Sequence, residues 1–256
     1  MPRDYDTFIP RHGQRALIAG QTGSGKTAFA TWLLIRIPTT PIVIYDTKIE
    51  PKFDRLPASK VVVTIPEMLE AHNDHTIDYI IVRPPELILG EPRQLDDYLW
   101  QHYLHMHDTV AYIDEGGEFH SRGGVPFKGL VALMARGRSK GITTILSTQR
   151  PVSIARNIIS EATKAYLFLM QDKRDRIVLD NIIPTFSKEP LPSRHAFYYW
   201  EQGMASAVLF RPVKLDQAFN LGYTDATLSG TTVDSSSGEA SPTTDTTEAP
   251  TKHVWV

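Results

Sequence analysis

The chain has 256 residues, enough for one or two domains at a rough guide of about 150 residues each. Its composition, 41% hydrophobic and 22% charged, is that of a globular protein, and the absence of cysteine excludes disulfide scaffolds, thiol nucleophiles, cysteine–zinc sites and iron–sulfur clusters. The net charge of −2 is unevenly spread: the stretch 224–251 holds five acids and neither Lys nor Arg, which leaves 26 basic against 24 acidic residues in 1–223. A near-neutral body does not advertise nucleic-acid binding, yet it does not forbid a local basic stripe.

In chain order, charges stand near the start where a secretion signal needs an apolar stretch, and no apolar run approaches the about 18 residues that span a bilayer. A soluble protein made in a cytoplasm is the expectation. Strands are expected at Arg15–Ala19, Ile42–Tyr45, 61–63, Tyr79–Val82, Val110–Ile113, 143–146 and 165–170. Several are continuous apolar runs, which suits strands covered on both faces. Helices are expected between them at 26–36, Ile65–His72, 93–106, 125–140, 153–162 and 172–181. Strands alternating with helices indicate an α/β fold with a mostly parallel sheet. Two further strands, 196–199 and 205–210, flank Glu201-Gln202-Gly203-Met204 and read as a hairpin at the sheet edge.

The domain expectation is a body over 1–223 and a disordered acidic tail over 224–256, because 14 of the 28 residues from 224 to 251 are Ser or Thr and cannot bury enough apolar surface to order the chain. The apolar end Val254-Trp255-Val256 is a fortuitous terminus or a docking peptide.

Gly20-Gln21-Thr22-Gly23-Ser24-Gly25-Lys26-Thr27 fits G-x-x-x-x-G-K-[ST] and lies between a strand and a helix, where a phosphate-binding loop belongs. Glycines let the backbone curl so that successive N–H groups converge on phosphate oxygens, and the helix N-terminus adds partial positive charge. Lys26 then places a cation between β- and γ-phosphates, and Thr27 offers a hydroxyl to Mg²⁺. The strand Val110–Ile113 ends in Asp114 and Glu115, suited respectively to hold the Mg²⁺ shell through water and to polarise an attacking water. No Asn-Lys-x-Asp guanine-reading sequence occurs, so the base expected is adenine and the nucleotide ATP.

The strand at 143–146 also closes in polar residues, Ser147-Thr148-Gln149-Arg150, where Gln149 can bond the γ-phosphate and the attacking water together. Arg150 suits either that loop or DNA. Arg136, Arg138 and Lys140 end the preceding helix, with Gly141 as its cap. They could serve the helix dipole alone, or one could reach into a neighbouring copy's site, Arg138 being the first candidate and Arg136 the second. His102, His105 and His107 do not share one helix face, so solvated or stacked histidines are expected there rather than a metal site.

With GQTGSGKT at 20–27, VIYDTKIE at 43–50, VAYIDE at 110–115 and RSKGITTILSTQRP at 138–151, the chain resembles the HerA/FtsK superfamily of ring-forming DNA translocases. Within it, the chain is similar to the genome-packaging ATPases of tailless, membrane-containing double-stranded DNA viruses. Asp46-Thr47-Lys48 departs from the family's Asp-Pro-Lys by one residue. The resemblance implies a RecA-like core with an additional strand and a catalytic glutamate, onto which Lys26, Thr27, Asp114, Glu115, Gln149 and Arg138 map. It further implies a pentameric or hexameric ring that drives double-stranded DNA through its pore, a capsid vertex or viral membrane protein as partner, and a location in host cytoplasm and virion. DNA-contact candidates are Arg122, Lys128 and Arg156. Competing expectations are a metabolite kinase with a basic lid at Lys173-Arg174-Asp175-Arg176, a cellular or plasmid DNA pump, and a non-catalytic ATP-switched scaffold.

Overall fold

Runs such as Ile42–Tyr45 and Tyr79–Val82 have no polar side to turn to water, and in the computed structural model both are buried along their whole length. The structure describes residues 5–38, 41–119 and 127–212. Among these residues nine strands form one sheet in the order β3-β4-β2-β5-β6-β1-β7-β8-β9. They are β1 (Arg15–Ala19), β2 (Ile42–Tyr45), β3 (Ser59–Val62), β4 (Tyr79–Val82), β5 (Val110–Ile113), β6 (Thr143–Thr148), β7 (Lys164–Leu167), β8 (Phe197–Glu201) and β9 (Val208–Phe210). The first seven run parallel, and β8 and β9 add an antiparallel edge hairpin. In register, Leu17 of β1 lies opposite Leu146 of β6 and Ala165 of β7. The strand β6 therefore sits between β1 and β5, whose ends carry the phosphate-binding loop and the acidic pair.

Among the described residues six α-helices accompany the sheet: α1 (Lys26–Leu34), α2 (Ile65–His72), α3 (Pro92–His105), α4 (Lys128–Val131), α5 (Arg156–Ile159) and α6 (Lys173–Val178). Strand alternation sorts the core into two faces. Leu17, Val43, Ile80, Ala111 and Leu146 join Met68, Leu95, Leu99, Leu130, Ile158 and Leu179 in one apolar cluster, which packs α2 through α6 against the sheet. On the opposite face, Phe29 and Trp32 of α1 meet Phe8, Tyr166, Phe168 and Phe197 in edge, tilted and stacked contacts. No helix among the described residues is long and apolar enough to cross a membrane.

Several expectations need correction: the strand at 61–63 runs from Ser59 to Val62, and the one at 205–210 shortens to Val208–Phe210. The helix at 125–140 is not continuous, and its first two residues lie outside the described part. Lys128–Val131 is α-helical, Ala132–Arg136 widens to a π-helix, and Gly137–Lys140 tightens to a 3₁₀ turn. The break comes at Gly137, whose carbonyl accepts from Ile142 N–H and so turns the chain directly into β6. Gly141 closes the segment as expected, at φ 70°.

The helix at 153–162 shrinks to α5 behind a 3₁₀ turn at Pro151–Ser153, because Ile154 is extended. The one at 172–181 becomes α6 followed by a 3₁₀ turn at Leu179–Asn181. The strand at 165–170 begins a residue earlier and ends at Leu167. The extra residue, Lys164, is a buried cation that donates to the Thr7 carbonyl at 2.6 Å and pairs with Glu201 at 3.4 Å. The expected tail at 224–256 lies outside the described residues.

Candidate nucleotide site

The chain leaves β1 at Ala19 and enters the glycine loop hung between two strands. Gly20 N–H donates to the Thr148 carbonyl at the end of β6, and Gln21 N–H donates to the Leu169 carbonyl beyond β7. A side chain at Gly20 would meet Phe168 Cβ at 2.6 Å and Ser24 Oγ at 2.8 Å, so only glycine fits. Gly25, at φ 104°, caps α1 in the left-handed conformation. Lys26 follows, 8% exposed, with Nζ donating to the Gln21 carbonyl at 3.1 Å. Burial lowers its pKa to about 8, nearby Lys48 adds to the effect, and Glu115 and Asp114 oppose it without cancelling it. A buried ammonium held below its ordinary pKa is one that a polyanion would stabilise.

The two acids at the end of β5 occupy different settings. Asp114 is buried, accepts from Tyr112 Oη at 2.8 Å, and has its pKa raised chiefly by desolvation, with Asp46 and Glu115 adding to the rise. Glu115 is held from two strands. Its Oε1 accepts from Thr148 Oγ1 at 3.1 Å and Gln149 N–H at 3.2 Å, and its Oε2 accepts from Lys48 Nζ at 2.7 Å. Gln149 Oε1 in turn accepts from Thr22 Oγ1 of the glycine loop at 2.5 Å. One hydrogen-bonded path thus runs from the loop through Gln149 to Glu115 and Lys48, joining the ends of β1, β6, β5 and β2.

For Mg²⁺, the Thr27 hydroxyl and the Asp114 carboxylate are hard oxygen donors of the kind that ion takes. Among the described residues no group of three His, Cys, Asp or Glu could hold a metal unaided. Magnesium at phosphate sites commonly keeps waters and takes phosphate oxygens beside one or two protein donors, which a hydroxyl and a carboxylate suit.

Against this geometry the comparisons are specific. No family model matches the chain. It is 28% identical over 234 residues to the DNA packaging ATPase P9 of Enterobacteria phage PRD1, an alignment spanning 84% of this chain and 95% of that protein. The genome packaging NTPase B204 of Sulfolobus turreted icosahedral virus 2, solved with sulfate, matches with a TM-score of 0.63 at 14% identity, over 80% of this chain and 99% of its own. Its complex with AMPPCP gives 0.60 at 15% identity, over 79% of this chain and 100% of its own. The pCW3 conjugation coupling protein TcpA gives 0.52 at 15% identity, over 81% of this chain and 62% of its own.

The chain has the P-loop ATPase fold and resembles viral DNA-packaging ATPases. Its additional strand β6 between loop strand and acid strand is the feature expected of the RecA-like core with a catalytic glutamate.

In this P-loop ATPase fold, Lys26, Asp114, Glu115 and Gln149 share one crevice at the carboxyl ends of the strands. Arg138 and Arg136 lie elsewhere. A side chain at Gly13, just before β1, would come within 3.3 Å of Arg138 Cγ, which puts Arg138 at the amino end of the sheet. Five residues of β1, roughly 17 Å at about 3.3 Å each, separate that end from the loop. Both arginines are exposed and line a cleft of about 620 Å³ with Arg15 and Tyr103.

Arg150, open between two roles in the sequence, pairs with Asp175 at 2.9 Å and Asp172 at 3.2 Å, which ties the loop after β6 to the start of α6. Lys128 lies 3.9 Å from Asp97 and over the Trp100 ring of α3. Arg156 is exposed at the start of α5, and Arg122 lies outside the described residues. Arg174 of the imagined basic lid pairs with Asp172 of its own turn at 3.0 Å.

His102 corrects the expectation of a solvated or merely stacked histidine. It is fully buried, with Nδ1 2.8 Å from Tyr45 Oη and Nε2 2.8 Å from Thr109 Oγ1. Two residues at the site escaped the sequence reading. Lys48 was visible only as part of Asp46-Thr47-Lys48, with no role attached. His195, whose Nδ1 would lie 3.0 Å from a side chain at Gly25, gave no local signal at all.

Proposed function

We propose that this chain hydrolyses ATP with Mg²⁺ and uses the energy to drive double-stranded DNA into a viral capsid, as a homo-oligomeric ring of five or six copies. The observation that carries the hydrolytic reading is the shared hydrogen bonding of Glu115 and Gln149 beside the loop that buries Lys26. The likeness to P9, extending over nearly all of that protein, supports DNA packaging as the work done.

In this mechanism the backbone N–H groups of Gly23, Gly25 and Lys26, past the two that tie the loop to its neighbouring strands, cradle the phosphates, and Lys26 neutralises β- and γ-oxygens. Bound Mg²⁺ would supply charge neutralisation at the phosphates, with Thr27 as a direct ligand and Asp114 holding a water of its shell. Glu115 orients the attacking water and accepts its proton. Gln149 lies between loop and glutamate, where it registers the terminal phosphate. Arg138, too far along the sheet for its own loop, stabilises phosphoryl charge in a neighbouring copy, with Arg136 as the alternative.

Residues 1–223 form the motor and 224–256 an appended tail. The partner is a capsid vertex or viral membrane protein, and the motor works in host cytoplasm and virion. DNA would be held through phosphates, without sequence preference and with strong salt sensitivity.

Steady-state ATP hydrolysis with and without long duplex DNA, run beside sedimentation of the full chain, tests the reading. Turnover that rises with duplex length, in a particle of five or six chains, is expected. DNA-independent phosphoryl transfer to a small acceptor would replace it with the kinase reading, and ATP binding without turnover would point to a switched scaffold.

A further inference from the structure

The turn after β2 is built more firmly than a surface connection requires. Asp46, buried at the strand end, accepts from Glu50 N–H with both carboxylate oxygens, at 3.0 and 2.9 Å. Arg83 braces it from β4, donating from Nε to Asp46 at 2.8 Å and from Nη2 to the Glu50 carbonyl at 3.3 Å, while its Nη1 pairs with Asp54 at 2.6 Å. Inside this closed turn Ile49 sits at φ 55°, a left-handed conformation that a β-branched side chain resists, and it is 52% exposed. Little burial compensates that strain, so the Asp46–Arg83 lock must hold it. Strain maintained in this way is characteristic of positions where the backbone aims a particular group.

The group aimed here is Lys48. Its Nζ lies 2.7 Å from Glu115 Oε2, on the far side of the carboxylate from Thr148 and Gln149. A carboxylate has about four lone-pair directions. Three of those on Glu115 are occupied, two by β6 and one by the turn after β2, which leaves a single direction for the water that is to be activated. The Lys48–Glu115 pair is partly open to solvent and such pairs contribute little to stability, so its placement is better explained by what it does to the carboxylate than as a device for holding the fold.

We propose that Lys48 is the positioning residue of ATP hydrolysis: it fixes the Glu115 carboxylate in the one rotation that presents its free lone pair to the attacking water. The inference rests on the reading of Glu115 as the water-polarising group. Lys48 itself does not bind nucleotide. Freed of Lys48, the carboxylate swings on its side chain, and a misplacement of about 1 Å is enough to cost roughly 100-fold in rate.

The test uses the full chain in steady-state MgATP hydrolysis with saturating duplex DNA, together with equilibrium binding of a fluorescent ATP analogue. Lys48→Met is expected to lower kcat by about 10- to 100-fold while KM and analogue affinity stay within about twofold. Lys48→Arg, which restores a cation to the site, should recover most of that loss.

Two results overturn the proposal while leaving Glu115 in its role: Lys48→Met with wild-type kcat beside an inactive Glu115→Gln, or Lys48→Met with raised KM and unchanged kcat, which would make Lys48 a phosphate ligand. Wild-type turnover in Glu115→Gln removes the underlying reading instead, and is read from that variant alone.

Discussion

His102 bridges Tyr45 of β2 and Thr109 just before β5, and its imidazole is sealed from water. Burial, with a smaller push from His72, depresses its pKa to about 3. The unfolded chain takes up a proton near the ordinary histidine pKa of about 6.5; the folded chain refuses it until about pH 3. This contribution is therefore complete above about pH 6.5 and is lost as pH falls through that window. From pH 7 to pH 5 it amounts to about 2 kcal/mol. Urea unfolding at those two pH values should show the slope, and His102→Gln, whose amide can still meet a hydroxyl, should flatten it by about that amount.

At the same scale, the nucleotide crevice was legible wherever a residue's place follows from the element it ends. Lys26 opens α1, Asp114 and Glu115 follow β5, and Gln149 follows β6. The acids and Gln149 follow strands whose apolar runs are visible and Lys26 belongs to a glycine-rich motif, so sequence alone located them. Lys48 and Glu115 meet across 67 positions, and no local pattern encodes that contact. The strain at Ile49 is equally silent, because an isoleucine gives no sign of a positive φ.

Elements differed in legibility for a similar reason. The strands β2, β4 and β5 are uninterrupted apolar runs, β1 is one that opens on Arg15, and the expected bounds of all four agree with the structure. The expected strand at 165–170 missed Lys164, since a charge normally marks the edge of a strand rather than its buried interior. The segment from Lys128 to Lys140 keeps its apolar periodicity while its pitch changes twice, and periodicity does not report pitch.

By contrast α2 was readable to the residue. Thr64 caps it by accepting from Glu67 N–H, and Glu67 reaches back to Thr64 N–H at 3.0 Å. Thr64→Ala removes half of that reciprocal pair and should cost about 1 kcal/mol. Urea unfolding will measure the loss, and hydrogen exchange should show it concentrated in the first turn of α2.

For the molecule as a whole, the separation of Arg138 from the glycine loop carries the clearest prediction. If Arg138 serves a neighbour's phosphate, Arg138→Ala abolishes DNA-stimulated hydrolysis in homogeneous rings. A Lys26→Ala chain is equally inactive, because it cannot hold its own nucleotide. Mixing the two should restore measurable turnover, since an intact Arg138 on one chain then faces an intact loop on the other. Activity measured across mixing ratios checks this, and no recovery at any ratio would place Arg138 outside catalysis.

The strand β6 is six residues long and buried throughout. At its carboxyl end stands Gln149, bonded to the glycine loop. At its amino end the chain arrives from Arg138 by way of Gly141 and Ile142. Paired along its length with β5 on one side and β1 on the other, the strand links its two tips, so a tug at one would be felt at the other. In the ring proposed above, with Arg138 offered to a neighbour, the loss of a phosphate in one pocket would then tug on the arginine of the next, and hydrolysis would pass round the ring in sequence without a separate messenger.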